Sequence, residues 1–355
     1  MKKLFSLLLA AVFSAGLLLA GEPVTLAAND PAIRYVGRFA DDFRFGWTGS
    51  QIETVFTGSE LSAVLEITSG QKAGVTAVVD GAEKRIVVTA GQTHYPIISG
   101  LEPGKSHHLV LFKRSEGSIG ELRFGGFIAS KDGEFSAPPA RPHKMLVIGD
   151  SITCGYANEA AGPKEGNTVE NENGYMSYAA IAARELQADL MMVCWSGRGL
   201  YRNRNVGDDT TGVLPSLFEQ TLPKSAVPAW DHSRFVPDVI AINLGTNDMN
   251  TEKGQKEPLK KEDYVGAAAA FIQHLRALYP GVKIILSIGP MEFEPVQSWL
   301  PEIATQFEGV SVLVYPKYAG PEEYAGHWHP SVKKDREMAA QLILRVRELT
   351  GWQSL

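Results

Sequence analysis

The sequence predicts two domains, an N-terminal β-sandwich followed by an α/β domain whose parallel sheet lies between helical layers. Two observations lead to this prediction. Residues 33–130 contain short strand-like segments separated by glycines, with no amphipathic helical stretch between them. From residue 144 onward, strand-like and helix-like segments alternate, which is typical of a parallel sheet covered on both faces. A length of 355 residues accommodates two domains.

The composition argues against several classes of protein. An apolar content of 44% is that of a folded chain rather than a disordered one. The 34 basic and 40 acidic residues give a net charge of −6, and because a nucleic-acid-binding protein is usually basic, we expect no nucleic-acid partner. Two cysteines are too few for a disulfide framework or a cysteine-based zinc cluster.

The first 28 residues predict a cleaved secretory signal peptide. Two lysines precede an apolar run over residues 4–20, and small residues follow it. A retained membrane anchor is the alternative, but a run of about 17 residues is at the short limit for a membrane span. We expect cleavage at Ala20, Ala27 or Ala28, no stable membrane insertion afterwards, and a secreted or periplasmic protein.

Residues 29–136 are assigned to the β-sandwich domain. Residues 61–67 alternate between two faces with a period of two, which is typical of a half-buried strand. Residues 75–79 and 85–89 flank Asp80-Gly81 and predict a hairpin, because this dipeptide adopts the positive φ that a tight turn requires. Further strands are predicted at residues 108–112 and 121–128.

A proline-rich segment separates the two domains. Residues 137–143 predict a stiff linker, since consecutive prolines favour an extended backbone. Residues 144–355 are assigned to the α/β domain. Its predicted strands cover residues 144–148, 190–194, 238–244, 283–288 and 310–315, and its predicted helices cover residues 175–188, 263–279 and 334–349.

Polar residues and glycines follow the predicted parallel strands at their carboxyl ends, where doubly wound sheets bind ligands. Ser151 follows the first strand in the sequence Gly-Asp-Ser-Ile-Thr, and taken alone this serine is better explained as a helix cap than as a nucleophile. Gly197 follows the second strand, and a glycine allows a backbone N–H to approach a ligand closely. Asn247 follows the third strand in Gly-Thr-Asn-Asp, which is also ordinary turn chemistry.

A histidine lies in the loop that precedes the last helix. His329 occurs in the sequence Gly-His-Trp-His-Pro-Ser, and Pro330 keeps it out of the helical conformation. A lone histidine is more often a structural residue. A neutral imidazole beside a serine is, however, what activation of a nucleophile requires.

In chain order these pieces contain Ser151, Gly197, Asn247 and His329. This order resembles the four blocks of the SGNH (GDSL-like) hydrolase superfamily. Residues 149–156, with the sequence Gly-Asp-Ser-Ile-Thr-Cys-Gly-Tyr behind a β-rich domain, resemble carbohydrate esterase family 2 more narrowly. The resemblance implies a jelly-roll β-domain and the removal of acetyl groups from plant polysaccharides such as xylan or glucomannan.

The resemblance also implies roles for these residues. Ser151 becomes the nucleophile and His329 the general base. The oxyanion hole consists of the Ser151 and Gly197 backbone N–H groups and the Asn247 side chain. Most of the superfamily has an aspartate three residues before the histidine, and that position is Gly326 here. The resemblance therefore implies a Ser-His dyad, in which a backbone carbonyl holds the imidazole.

Neighbouring residues admit more than one role. Trp328 is either a buried core aromatic or a sugar-stacking wall, and the family resemblance favours the second. Asp150 is expected to hold the loop of Ser151 rather than to take part in the chemistry. Cys154 and Cys194 are expected close to the site, as a disulfide or as buried thiols.

Metal and cofactor chemistry is not expected. No Cys, Asp or Glu at ligand spacing accompanies His327 and His329, so we expect neither a metal nor a cofactor. Asp248 and Glu323 are the carboxylates whose replacement would first reveal an acidic third member of the dyad. The predicted partner is an acetylated polysaccharide or oligosaccharide, and a monomer is expected.

The residues leave other functions open. The same scaffold supports lipases, thioesterases and peptidoglycan deacetylases, because a fold does not determine the acyl group. A carbohydrate-binding protein with weak or vestigial hydrolase activity is an alternative from another class, although four intact blocks count against it. The predicted function is that of a secreted acetyl esterase.

Overall fold

The computed structural model of the protein describes residues 22–204, 212–250 and 257–353. The predicted signal sequence up to residue 21 lies outside the described residues. Strand β1 (Val24–Ala27) falls in the last part of the predicted signal and pairs with a strand of the β-domain. Cleavage at Ala20 keeps this strand, whereas cleavage at Ala27 or Ala28 removes it, so we propose the earlier site. Within the described ranges, no helix has the length and apolarity needed to cross a membrane.

Two antiparallel sheets form the N-terminal domain, which confirms the predicted β-sandwich. Its other strands are β2 (Arg34–Val36), β3 (Arg44–Phe45), β4 (Gln51–Phe56), β5 (Glu60–Gly70), β6 (Lys72–Val79), β7 (Ala82–Thr89), β8 (His94–Ser99), β9 (His107–Lys113), β10 (Gly120–Ala129) and β11 (Phe135–Ser136). One sheet has the order β1-β10-β5-β8 with β3 beside β10, and the other has the order β11-β4-β9-β6-β7 with β2 beside β4. β6 and β7 form the predicted hairpin, whose turn residues Asp80 and Gly81 have φ values of 51° and 87°.

The core of the sandwich follows from strand geometry. Leu61, Ala63 and Leu65 are fully buried in β5, because alternate side chains of a strand point to the same face. Leu109 and Leu111 of β9 meet them from the opposite sheet in one apolar cluster. The period of two in the sequence is therefore the pattern that builds this core.

A five-stranded parallel sheet with helices on both faces forms the second domain, as predicted. The sheet contains β12 (His143–Gly149), β13 (Ala188–Cys194), β16 (Val239–Asn243), β17 (Lys283–Ile288) and β18 (Val310–Val314), in the order β13-β12-β16-β17-β18, and a separate hairpin contains β14 (Gln220–Leu222) and β15 (Ser225–Ala229). The helices are α1 (Ser151–Cys154), α2 (Tyr178–Glu185), α3 (Leu214–Leu217), α4 (Thr246–Met249), α5 (Lys261–Leu278), α6 (Val296–Thr305) and α7 (Val332–Thr350). In β12, Leu146 and Ile148 pack in the core with α5 and α6, whereas Met145 and Val147 pack in the core with α2 and α7.

Several elements differ from the sequence-based prediction, and three of the differences have a clear physical reason. The helix predicted over residues 175–188 is shorter, because Gly174–Met176 is a 3-10 turn and Ala188 already begins β13. Helix α6 was not predicted, since Pro301 lies inside it and masks the helical pattern. The β14–β15 hairpin was also missed, because β15 is largely exposed and has no buried alternation.

An ion cluster joins the two domains. Arg34 and Glu53 belong to the β-sandwich, Arg141 to the predicted linker, and Asp189 to β13. Arg34 pairs with both carboxylates, at 3.0 Å from Glu53. Arg141 Nη1 lies 2.7 Å from Glu53 and 3.1 Å from Asp189. Because Arg141 bridges both domains, the proline-rich segment is fixed to them and does not act as a free hinge.

Candidate active site

The predicted nucleophile lies at the carboxyl end of strand β12, which pairs with β13 and β16 in the parallel sheet. Ser151 is the first residue of α1, and Asp150 caps this helix by accepting a hydrogen bond from Ile152 N at 3.0 Å. A Cβ on Gly149 would lie 1.9 Å from Thr153 Oγ1, so the strand end admits no side chain there. The glycine and the cap therefore hold Ser151 at the turn between strand and helix.

The predicted base faces Ser151 from the turn before α7. His329 Nε2 lies 2.7 Å from Ser151 Oγ. His329 Nδ1 lies 3.2 Å from the carbonyl oxygen of Gly326 and 3.1 Å from that of His327. Because carbonyl oxygens only accept, the ring proton resides on Nδ1, which leaves the Nε2 lone pair for the Ser151 hydroxyl.

The surroundings keep the imidazole neutral. His329 is buried, and burial lowers its pKa to about 4, although the two carbonyl oxygens oppose this shift. The Tyr156 ring packs against it at 4.3 Å between centroids. A neutral imidazole at ordinary pH is the form that accepts the serine proton.

An aspartate does not fit at the position that most of the superfamily fills with one. A Cβ on Gly326 would lie 2.5 Å from Ala157 Cβ and 2.8 Å from the carbonyl oxygen of Glu165. The Gly326 N–H donates to the carbonyl oxygen of Ala157 at 3.1 Å, which fixes the close approach. The close packing thus explains why a glycine stands here.

Both carboxylates that the sequence singled out are engaged elsewhere. Glu323 accepts a hydrogen bond from Ala319 N and pairs with Lys334 Nζ at 3.0 Å. Asp248 accepts three backbone hydrogen bonds at 2.9, 2.6 and 3.0 Å, from the N–H groups of Leu200, Tyr201 and Arg202. The hydrogen bonds of His329 Nδ1 in the described chain are both with carbonyl oxygens, so the arrangement is a Ser-His pair.

The predicted oxyanion donors lie on the loops around Ser151. Gly197 has φ +79° with open space at its Cα, and within the described chain neither its N–H nor that of Ser151 donates a hydrogen bond. Asn247 Nδ2 donates to Asp150 Oδ2 at 3.1 Å and to the Arg198 carbonyl oxygen at 2.9 Å. Donation to an oxyanion therefore requires Asn247 to share or redirect one amide hydrogen. Burial, with a smaller effect of the Asp248 charge, raises the pKa of Asp150 to about 7.

A cleft of about 510 Å³ opens at the hydrogen-bonded pair of Ser151 and His329. These two residues and Asn247 line it. Trp328 also lines the cleft with 59% of its surface exposed, so it is not a buried core residue. The Tyr324 ring lies edge-on to Trp328 at 5.2 Å, and Tyr318 packs on Tyr324 at 4.1 Å. The two tyrosines were missed, because nothing local in the sequence separates them from packing residues.

The turn that carries Trp328 has an uncommon backbone. His327 and Trp328 have φ values of 49° and 63°, a region that side-chain-bearing residues rarely adopt in succession. Tyr156 Oη lies 2.9 Å from His327 Nδ1, and Tyr318 Oη donates to the Trp328 carbonyl oxygen at 3.1 Å. These hydrogen bonds and the packing of Gly326 hold the turn that presents His329.

The two cysteines lie next to each other, Cys154 as the last residue of α1 and Cys194 as the last residue of β13. Cys154 and Cys194 are buried free thiols with their Sγ atoms 2.7 Å apart. Burial raises the pKa of the Cys154 thiol well above its usual range, which keeps it protonated. In the part of the chain that the structure describes, no group of three His, Cys, Asp or Glu residues is arranged to hold a metal ion.

Comparison with known proteins identifies both domains. Residues 35–139 match the family described as carbohydrate esterase 2 N-terminal, and residues 147–333 match the GDSL-like lipase/acylhydrolase family. A solved family two carbohydrate esterase from Clostridium thermocellum, in complex with cellohexaose, is 36% identical with a TM-score of 0.83. The alignment covers 90% of this chain and 100% of that one.

Two curated relatives extend the comparison. The cellulase/esterase CelE of Acetivibrio thermocellus is 36% identical over 91% of this chain, which spans only 40% of that relative's length. An acetylxylan esterase / glucomannan deacetylase of Cellvibrio japonicus is 27% identical over 92% of both chains. The chain therefore belongs to the family 2 carbohydrate esterases, and so to the carboxylic ester hydrolases.

Proposed function

We propose that the chain removes O-acetyl groups from plant polysaccharides by nucleophilic catalysis at Ser151. The observation that carries the proposal is the 2.7 Å hydrogen bond between Ser151 Oγ and His329 Nε2. It joins a serine at a strand end to an imidazole whose other nitrogen is bound by two carbonyl oxygens. This is the arrangement that nucleophile activation requires.

In the first step, Ser151 Oγ forms a bond to the acetyl carbonyl carbon while His329 Nε2 takes the hydroxyl proton. The carbonyl π electrons move to oxygen, and the N–H groups of Ser151 and Gly197 stabilise the oxyanion together with Asn247. An oxyanion donor is typically worth about 3–4 kcal/mol. The Nδ1–H of the imidazolium stays between the carbonyl oxygens of Gly326 and His327, which stabilises its positive charge.

In the second step, the bond between the acetyl carbon and the sugar oxygen breaks. His329 Nε2–H donates its proton to the departing sugar oxygen, and the acetyl group stays on Ser151 Oγ. Water then attacks the acetyl-enzyme as His329 takes one of its protons. Acetate leaves with the return of that proton to Ser151 Oγ, which restores the starting state.

The substrate class is proposed from the cleft and the relatives. Trp328 and Tyr324 give the rim of the cleft flat apolar faces, which suit the apolar faces of pyranose rings. Two relatives from Cellvibrio japonicus are acetylxylan esterases / glucomannan deacetylases, and a solved relative is in complex with cellohexaose. Export through the predicted signal peptide is consistent with such substrates, because plant polysaccharides lie outside the cell.

The proposal is tested by acetate release from acetylated xylan, acetylated glucomannan and 4-nitrophenyl acetate, with the wild type compared with Ser151→Ala. We expect release by the wild type and its loss in the variant, with unchanged circular dichroism. Release from none of the three, or equal release by both proteins, contradicts the proposal. A preference for 4-nitrophenyl octanoate indicates another acyl substrate, and polysaccharide binding without release indicates a carbohydrate-binding protein.

Trp328→Ala is expected to raise KM for acetylated polysaccharide about ten-fold, a loss of about 1.4 kcal/mol of binding. The reason is that an exposed indole on the rim contacts sugar rings that a small substrate lacks. KM for 4-nitrophenyl acetate is expected to stay within two-fold. Trp328→Phe serves as the matched control, since it keeps a flat ring at the same backbone position. Equal effects on both substrates contradict the sugar-binding role.

The acid limb of kcat/KM for 4-nitrophenyl acetate is expected near pH 4 rather than near 6.5. Only neutral His329 accepts the serine proton, and activity falls as the pH drops through its pKa, which burial lowers to about 4. Rates measured between pH 3.5 and 6 test this, with tryptophan fluorescence as the control for unfolding. A midpoint near 6.5 in the folded enzyme contradicts it.

A further inference from the structure

We propose that Glu116, which belongs to the β-sandwich domain, positions the oxyanion loop of the catalytic domain. The oxyanion loop is defined here as residues 195–198, which follow β13 and include Gly197. This inference rests on the proposed catalysis at Ser151. In this proposal the N-terminal domain contributes to the active site through Glu116. Glu116 is a positioning residue, because it contacts the oxyanion loop and does not touch the substrate.

The contact between Glu116 and the oxyanion loop crosses the interface between the two domains. Glu116 lies in the connection between β9 and β10, and only 2% of its surface is exposed. Its Oε2 accepts a hydrogen bond from Ser196 N at 2.9 Å. The peptide on the other side of Ser196 carries the Gly197 N–H. Fixing the Ser196 N–H therefore restricts the direction of the predicted oxyanion donor one peptide away.

Gly197 needs such a restraint. A glycine at φ +79° with open space at its Cα has no side chain to fix its orientation by packing. The catalytic domain holds the loop at its two ends, where Trp195 N donates to the Gly149 carbonyl oxygen and Asn247 Nδ2 donates to the Arg198 carbonyl oxygen. It also holds the carbonyl side of Gly197, whose oxygen accepts a hydrogen bond from Arg204 N at 2.9 Å. On the amide side of Gly197, the hydrogen bond from Ser196 N to Glu116 adds a restraint from the β-sandwich domain.

Buried groups hold Glu116 in turn. Its backbone N–H donates to Glu172 Oε1 at 3.1 Å, and Glu172 Oε2 accepts from Asn167 Nδ2 at 3.2 Å. Burial and the neighbouring Glu116 charge raise the pKa of Glu172 well above its usual range. Lys113 is fully buried nearby and donates to Ser115 Oγ at 3.1 Å. Apolar side chains usually fill such space at lower cost, so a buried polar cluster at this point suits a positioning role.

The test compares Glu116→Met with Glu116→Gln and uses kcat and KM for 4-nitrophenyl acetate. Methionine fills similar volume but accepts no strong hydrogen bond from Ser196 N, so we expect kcat to fall 10- to 100-fold with KM within three-fold. Glutamine keeps an acceptor oxygen and is expected to restore kcat to within about three-fold of wild type. A lower kcat with a nearly unchanged KM is the result expected when a substitution removes an interaction that stabilises only the transition state.

Glu53→Met is the matched control, because Glu53 is another buried carboxylate at the same domain interface, in the ion cluster with Arg34 and Arg141. It is expected to lower Tm without lowering kcat. The proposal is overturned if Glu116→Met keeps wild-type kcat, or if Glu53→Met lowers kcat as much. If Glu116→Met does not fold, Glu116→Asp replaces it, since the shortened carboxylate withdraws from Ser196 N, and an unchanged kcat overturns the proposal in the same way. A wild type with no esterase activity, or with activity independent of Ser151, instead contradicts the proposed function.

Discussion

His329→Ala is expected to lower kcat for 4-nitrophenyl acetate by about 10⁴-fold or more. Removing the general base has an effect of this size in other serine hydrolases, because the base and the nucleophile act as a unit. The imidazole lies 2.7 Å from Ser151 Oγ, and we propose that it takes the hydroxyl proton. Without such a base a serine is a weak nucleophile. Steady-state rates measure the effect, and circular dichroism confirms the fold.

Glu323→Gln is the matched carboxylate control for this experiment. Glu323 lies six residues before His329 but pairs with Lys334, so its replacement is expected to change kcat by no more than a few-fold while lowering Tm. A thousand-fold loss of kcat in the folded Glu323→Gln protein would mean that a carboxylate acts as a third member after all. The backbone-held dyad would then be wrong.

Gly326→Asp is expected to lower kcat by about 100-fold, although it introduces the residue that most of the superfamily carries there. Its Cβ would lie 2.5 Å from Ala157 Cβ and 2.8 Å from a backbone oxygen, so the turn must shift. That turn supplies both carbonyl oxygens that bind His329 Nδ1, and a shift of about 1 Å in a catalytic group costs on the order of 100-fold.

Gly266→Asp provides the control, because Gly266 is exposed in α5 with nothing within 4 Å of an added Cβ. Kinetic constants are expected to stay at wild-type values in that variant. A crystal structure of Gly326→Asp is expected to show His329 Nε2 displaced from Ser151 Oγ. Wild-type or higher kcat in Gly326→Asp would mean that the turn accommodates an aspartate and that the packing argument fails.

Local signals made much of the fold predictable from the sequence. The Asp80-Gly81 hairpin and the strand Lys283–Ile288 were predictable because the turn chemistry and the apolar run lie within a few residues. Helix α6 was not, because Pro301 interrupts its pattern and its stability comes from packing Leu300 and Ile303 against the sheet. Tertiary contacts thus override the local preference at that element.

Some parts of the candidate site were also predictable from the sequence, and others were not. Ser151, Asn247 and His329 stand at strand ends or before a helix, so their order along the chain was visible, and the structure places all three on one cleft. Glu116 and Ser196 are 80 residues apart and belong to different domains, and their contact exists only after the domains pack. Sequence patterns relate residues a few positions apart, so they could not predict this contact.

The left-handed turn at residues 327–328 has a consequence for altering sugar preference. The side chain proposed to bind sugar and the imidazole proposed to move protons are neighbours on one backbone, so recognition and chemistry cannot be redesigned independently. Trp328 has φ +63°, and Asn or Gly accepts that conformation more readily than a β-branched residue does. Variants with Val, Ile or Thr at position 328 are therefore expected to have a lower kcat because their backbone shifts the turn that carries His329. That loss would mask any effect of the new side chain on sugar preference.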